Sequence, residues 1–294
     1  MSKIKRSRGE YTFQIINSVV LLALMILMIY PVWHVICASF SDAQFLNAHK
    51  GILLYPHGVN LNAYRMMIKN PMIVSGYMNT IFVVVVGVFI NLIMTSLGAY
   101  FLSRQNLRYQ KIVMVMIIIT MYFSGGMIPF YFTVTGLGLQ NSLWALILPT
   151  AINTYNLIIM RTSFMSIPYS LEESAKLDGA GHFRILFFIV IPLSKSILAV
   201  MLLYYAVANW NSWFNAMLFL DDRSKFPLQL VLREILIQND TTSMTQGVGG
   251  VDINAVGETI KYAVIVVATL PILCVYPFIQ KYFVSGVMIG AVKG

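Results

Sequence analysis

Residues 172–192 read Glu-Glu-Ser-Ala-Lys-Leu-Asp-Gly-Ala-Gly-His-Phe-Arg-Ile-Leu-Phe-Phe-Ile-Val-Ile-Pro, a charged, glycine-ended run set between apolar stretches. Ser170 stands three residues ahead of Glu173, the spacing of a capping box in which each side chain caps the other's backbone N–H. Pro168 closes the preceding segment, and Gly179 offers the left-handed stop that ends many helices. The pattern predicts a helix of roughly two turns over residues 171–178, lying outside the bilayer. A chain that only had to reverse direction would use a turn there. A helix held out on the surface predicts that something docks on it.

The rest of the chain belongs in a membrane. It is 58% hydrophobic and 11% charged, against roughly 25% charged in soluble domains. A span needs about 20 apolar residues, and windows near 13–38, 79–103, 112–132, 143–165, 185–209 and 260–283 qualify. The predicted fold is therefore all-α, a single integral membrane domain over residues 1–294 with six transmembrane helices. The first window is too long for the apolar core of a signal peptide and is expected to remain as a helix. Cys37 and Cys274 lie in apolar stretches without a CxxC or a Cys/His cluster, so both are expected to be small buried hydrophobes.

Basic residues orient the spans. With the N-terminus inside, the cytosolic side receives 13 Lys and Arg, including Lys3, Lys5, Arg6, Arg8, Arg104, Arg161, Lys176 and Arg184, against Glu10, Glu172, Glu173 and Asp178. The outer side receives seven basic and seven acidic residues, so the whole net charge of +9 falls inside. The basic balance is topological and gives nucleic acid no role. Residues 166–184 and a tail at 284–294 then face the cytosol, and a loop at 210–259 faces out. Its first part, with Pro227 to Leu236, is apolar enough for short helices against the membrane, and its Thr/Gly-rich part is expected to be mobile.

Glu173-Ser174-Ala175, then Gly179, then Ile191-Pro192, resembles the EAA signature of ABC-importer permeases. Ser174 departs from the usual alanine and remains small. Leu177-Asp178-Gly179-Ala180 and Pro192-Leu193-Ser194 look like the carbohydrate-uptake branch, which includes the maltose permease subunits. The C-terminal run from Lys281 to Gly294 looks like its subgroup for polysaccharides and complex oligosaccharides.

The resemblance implies a type I importer architecture in a bacterial plasma membrane, with both termini cytosolic and a coupling helix at 171–178. Leu171, Glu172, Glu173, Ser174, Ala175, Leu177, Asp178, Gly179 and Pro192 would then make or shape the ATPase contact. The tail residues Gly290, Ala291, Val292, Lys293 and Gly294 would reach the ATPase as well. The implied partners are a second homologous permease, two ATPase subunits, an extracytoplasmic sugar-binding protein and an oligosaccharide, besides membrane lipid. ATP and Mg would sit on the ATPase, since this chain holds no Gly-x-x-x-x-Gly-Lys-[Ser/Thr] run. The plainer alternatives are a solvated loop helix and a frayed terminus.

Polar residues in or at the ends of spans must face other helices or a wet cavity. Asn153, Tyr155 and Asn156 form one cluster, and Asn209, Trp210, Trp213 and Asn215 another. Amides exchange hydrogen bonds with sugar hydroxyls and aromatic faces cover sugar C–H faces, so both clusters are candidates for the substrate path. The alternatives are interhelical hydrogen bonds and an interfacial aromatic belt. No span core holds Asp or Glu, which argues against an ion-coupled secondary carrier. The four histidines are scattered and no nucleophile has a matching base, so no catalytic site is expected. A secondary carrier, or an importer of this type for a non-sugar solute, remains as the alternative.

Overall fold

The second expected span grows into the helix on which the larger part of the structure is built. This computed structural model describes residues 8–49, 51–104, 109–237, 257–274 and 277, and among them every regular element is helical. Packing divides the chain into two compact units, Met1–Asn70 with Ile235–Thr269, and Pro71–Glu234 with Leu270–Gly294.

In the first unit, α1 (Arg8–Phe40) is 33 residues long, and α2 (Ala43–Ala48) and α3 (Asn62–Lys69) follow. Residues 9–29 of α1 are exposed throughout. Its other end packs Cys37 and Ala38 against Leu53, Phe45, Leu46 and Tyr262. Ser41 ties the loop beyond, its Oγ donating to Cys37 O at 2.7 Å and accepting from His57 N at 3.1 Å.

In the second unit, α4 (Pro71–Ser103) starts on a proline, whose missing N–H is no loss at a first helical position. The later elements are α5 (Gln110–Tyr122), α6 (Met127–Gly136), α7 (Trp144–Ile147), α8 (Thr154–Met165) and α9 (Tyr169–Leu177). After them come α10 (His182–Ile185), a π-turn at Leu186–Val190, α11 (Ile191–Leu193), α12 (Lys195–Trp210), α13 (Phe214–Phe219) and the first seven residues of α14 (Leu228–Ile237).

Small residues let α8 and α12 close on α4, as helix packing in lipid requires. A Cβ on Gly87 would lie 2.8 Å from Asn209 Nδ2, and one on Gly98 would lie 3.0 Å from Leu157 Cδ1. Polar side chains bind α4 to α12 and to the chain just before α8. Asn91 Nδ2 donates to Thr150 O at 2.7 Å and Ala151 O at 3.0 Å, while Asn209 Nδ2 donates to Asn91 Oδ1 at 3.1 Å. Thr95 shares a 2.7 Å hydrogen bond with Tyr205, whose hydroxyl also accepts from Asn153 N at 3.1 Å. Each such bond is worth about 0.6 kcal/mol in a bilayer, so the set holds where one alone would not.

Three expected spans are not straight helices. The 112–132 window is α5 and α6 meeting at 115°. Gly126, at φ +89°, starts α6 in a conformation that suits glycine. The 185–209 window is a chain of short helices and α12 meeting at 88°. Pro192 has no N–H for the preceding turn, which widens into the π-turn, and the bend follows at Ser194. The 143–165 window is the four-residue α7 and the twelve-residue α8 with an irregular connection between. By length and composition, α1, α4 and the last described helix, Gly257–Cys274, can each cross a membrane singly, and the two bent pairs add up to two more spans.

The apolar start of the 210–259 loop does form the short helices α13 and α14. Its Thr/Gly-rich part and the 284–294 tail lie outside the described residues. Cys37 is buried, but Cys274 is exposed among the described residues.

Candidate functional site

α9 begins at Tyr169, with Pro168 as its cap residue and no side-chain cap. Ser170 therefore falls inside the first turn, and the expected capping box with Glu173 does not form. The other end meets expectation in detail. Ala180 N donates to Ala175 O at 2.9 Å and Gly179 N to Lys176 O at 3.0 Å, with Gly179 at φ +80°. That is a Schellman stop.

Leu171, Glu173, Ser174, Leu177 and Asp178 are exposed, Leu177 at 89%. Ala175 packs inward against the core shared by α4, α8 and α12. Glu172 does not join the exposed face. It is 3% exposed and ion-paired with Arg104, just past the end of α4, and with Lys176 Nζ at 3.1 Å. Arg104 lies 4.4 Å over the Tyr100 ring, and Tyr100 OH is 3.2 Å from His182 Nδ1. Burial lowers the Arg104 pKa from its ordinary value, with the Tyr100 and Tyr169 phenols acting the other way. Beside the pair is a cavity of about 490 Å³, lined by Leu97, Phe101, Tyr169, His182 and Phe183 among others.

A second cavity, of about 710 Å³, opens between α8, α12 and Pro271-Ile272. Asn153, Tyr155, Asn156 and Trp210 line it together with Tyr204, Val207 and Asn211. Its described lining is apolar, aromatic and amide, without a charged side chain. Asn153 has a structural duty too, capping α8 by accepting from Asn156 N at 3.1 Å. The Trp210 indole N–H is buried without a hydrogen-bond partner among the described residues.

A family model described as the binding-protein-dependent transport system inner membrane component matches residues 95–289. The chain belongs to that family. It is 45% identical, over 93% of its length and 96% of the relative's, to the polygalacturonan/rhamnogalacturonan transport system permease protein YtcP of Bacillus subtilis. It is 41% identical to Protein LplC of the same organism, over 98% of this chain and 97% of that one. Among solved structures it resembles a chain of a bacterial ABC transporter involved in the import of the acidic polysaccharide alginate. The TM-score is 0.88 at 33% identity, covering 96% of this chain and all of that one.

In this permease the three remaining pathway candidates lie elsewhere. Asn209 points away from the cavity into the Asn91 hydrogen bond. Trp213 carries Arg233 over its ring at 4.5 Å, and Asn215, on α13, is partly buried outside the cavity wall. Pro192 shapes the turn after α10 rather than the exposed face. Sequence reading passed over Arg104, Tyr100 and His182, and also Tyr204, Val207 and Asn211 in the cavity wall. Val207, Asn211 and Tyr204 could have been found by spacing, since they lie three, four and seven residues apart on one helical face.

Proposed function

We propose that this permease moves oligosaccharides into the cytosol along a path to which the 710 Å³ cavity contributes one wall, powered by ATP hydrolysed on separate subunits that dock on α9. The observation that carries the docking role is the helix itself: two turns ended by a Schellman stop, with Leu171 and Leu177 exposed among Glu173, Ser174 and Asp178. Apolar side chains held out by a rigid, charged helix suit a cleft on a partner. The bent chain that follows it joins the helix to α12, one wall of the cavity, so motion at the docking surface has a short route to the path.

The sugar assignment rests on the relatives for polygalacturonan, rhamnogalacturonan and alginate and on the amide and aromatic lining. Tyr155, Tyr204 and Trp210 offer ring faces, and Asn156 and Asn211 offer paired donors and acceptors. The assembly is a second homologous permease, two ATPase subunits holding ATP and Mg, and an extracytoplasmic sugar-binding protein. Both termini face the cytosol, which puts the tail residues Gly290 to Gly294 on the ATPase side.

Purification of the tagged chain from its native membrane, followed by mass spectrometry, tests this reading. Recovery of an ATPase and a second permease is expected, with uptake of pectin- or alginate-type oligosaccharides by the reconstituted complex. A chain that comes out alone after cross-linking at Lys176 ends the docking reading.

A further inference from the structure

Within residues 171–179, Glu172 alone is buried, while Glu173 beside it is exposed. Two chemically equal neighbours thus do opposite things. A carboxylate leaves water only where cations and hydrogen bonds compensate it, and here one cation comes from outside α9 and one from α9 itself. Arg104 is held in place for it. Its ring partner is Tyr100 at 4.4 Å, its Nε donates to Tyr100 O at 3.3 Å, and Nε and Nη2 donate to Ser103 Oγ at 3.1 and 2.9 Å. The remaining guanidinium nitrogen meets Glu172. Lys176, one turn along α9, closes on the other carboxylate oxygen at 3.1 Å. Tyr100 passes the connection to α10 through His182 at 3.2 Å.

We propose that Glu172 is a positioning residue that, through Arg104, makes α9 and the cytosolic end of α4 move as one piece, resting on the reading of α9 as the ATPase-docking helix. Arg104 closes α4 at the docking end, and the same helix carries Asn91 and Thr95 in the hydrogen bonds that hold α12 and the chain leading into α8. A push on α9 is thereby delivered to the helix that carries the walls of the path. The cavity of about 490 Å³ beside the pair is the room into which α9 would sink if the tether were cut. Cutting it leaves docking intact and wastes the stroke.

The test uses the complete transporter in liposomes, with sugar uptake and ATP hydrolysis measured together. Glu172→Gln and Arg104→Gln should each keep the ATPase bound and hydrolysing while transport per ATP falls about tenfold, within the roughly 5–150-fold range of coupling free energies between sites. The double variant leaves no uncompensated buried charge and should recover part of the loss. Unchanged transport per ATP in both single variants overturns the tether, and so does a double variant worse than either single one. If neither single variant reaches the membrane, transport per ATP of the double variant decides alone: well below wild type supports the tether, near wild type overturns it. Leu177→Glu separates the two readings. An ATPase that still co-purifies with that variant defeats docking, whereas the Glu172 and Arg104 variants bear on transmission.

Discussion

The two ends of the α4–α8–α12 packing are made of different chemistry. At the α9 end the residues are charged and locked: Glu172, Arg104 and Lys176 pair, Tyr100 and His182 extend the network, and a Schellman stop ends the helix. At the cavity the lining is uncharged, and Tyr155, Tyr204 and Asn211 offer surface without an ion pair. Directional, costly interactions suit a place where force is passed between parts. Neutral amide and aromatic surface suits a place that a chain of sugars must enter and also leave. α4 serves both, with Arg104 just past one end and Asn91 in its middle.

Substitutions at the two ends should therefore fail in different ways. The largest effect is expected from Gly179→Leu, which forces a side chain into the left-handed conformation at a cost of roughly 1–2 kcal/mol and disrupts the helix stop. Membrane levels should stay near normal while uptake falls to background, measured by immunoblot and radiolabelled sugar. Normal uptake would remove α9 from the mechanism. Tyr155→Ala should leave the ATPase bound and raise the KM for uptake about fivefold, the scale of one lost aromatic contact. A change in ATPase retention instead would blur the division of labour drawn above.

Trp210→Phe keeps an aromatic face, smaller by the pyrrole ring, and deletes an indole N–H that has no partner among the described residues. If that N–H serves the substrate, KM should rise about threefold, the scale of a single net hydrogen bond. An unaltered KM assigns Trp210 to packing. The smallest functional effect is expected from Asn209→Leu. It should lower thermal stability by about 0.6–1.7 kcal/mol through the lost Asn91 bond and leave KM unchanged. A raised KM would return Asn209 to the path.

What could be read from the sequence was local. Gly179, the polar run before it and the apolar stretches around it depend on neighbours along the chain, so the helix that stops at Gly179 and the membrane class were legible. Glu172 was not, because its direction is set by Arg104, which lies on a different helix end and reads from sequence only as a cytosolic charge. Hydropathy windows count composition and carry no direction, so the bends at Gly126 and Ser194 and the break before α8 were hidden, although Gly125-Gly126 and Pro192 marked two of them. Asn209 and Trp210 show the finest limit. They are adjacent, and one step of about 100° around a helix sends the first into a hydrogen bond with Asn91 and the second to the cavity wall.

The exposed face of α1 bears on how the protein is made. Residues 9–29 are all exposed among the described residues, and the mean hydropathy of the helix's most apolar window is 2.5. Such a segment needs no tertiary structure to become stable. As it leaves the ribosome it can pass sideways into lipid on its own. A helix that lipid alone can stabilise is able to fold before any later segment is made.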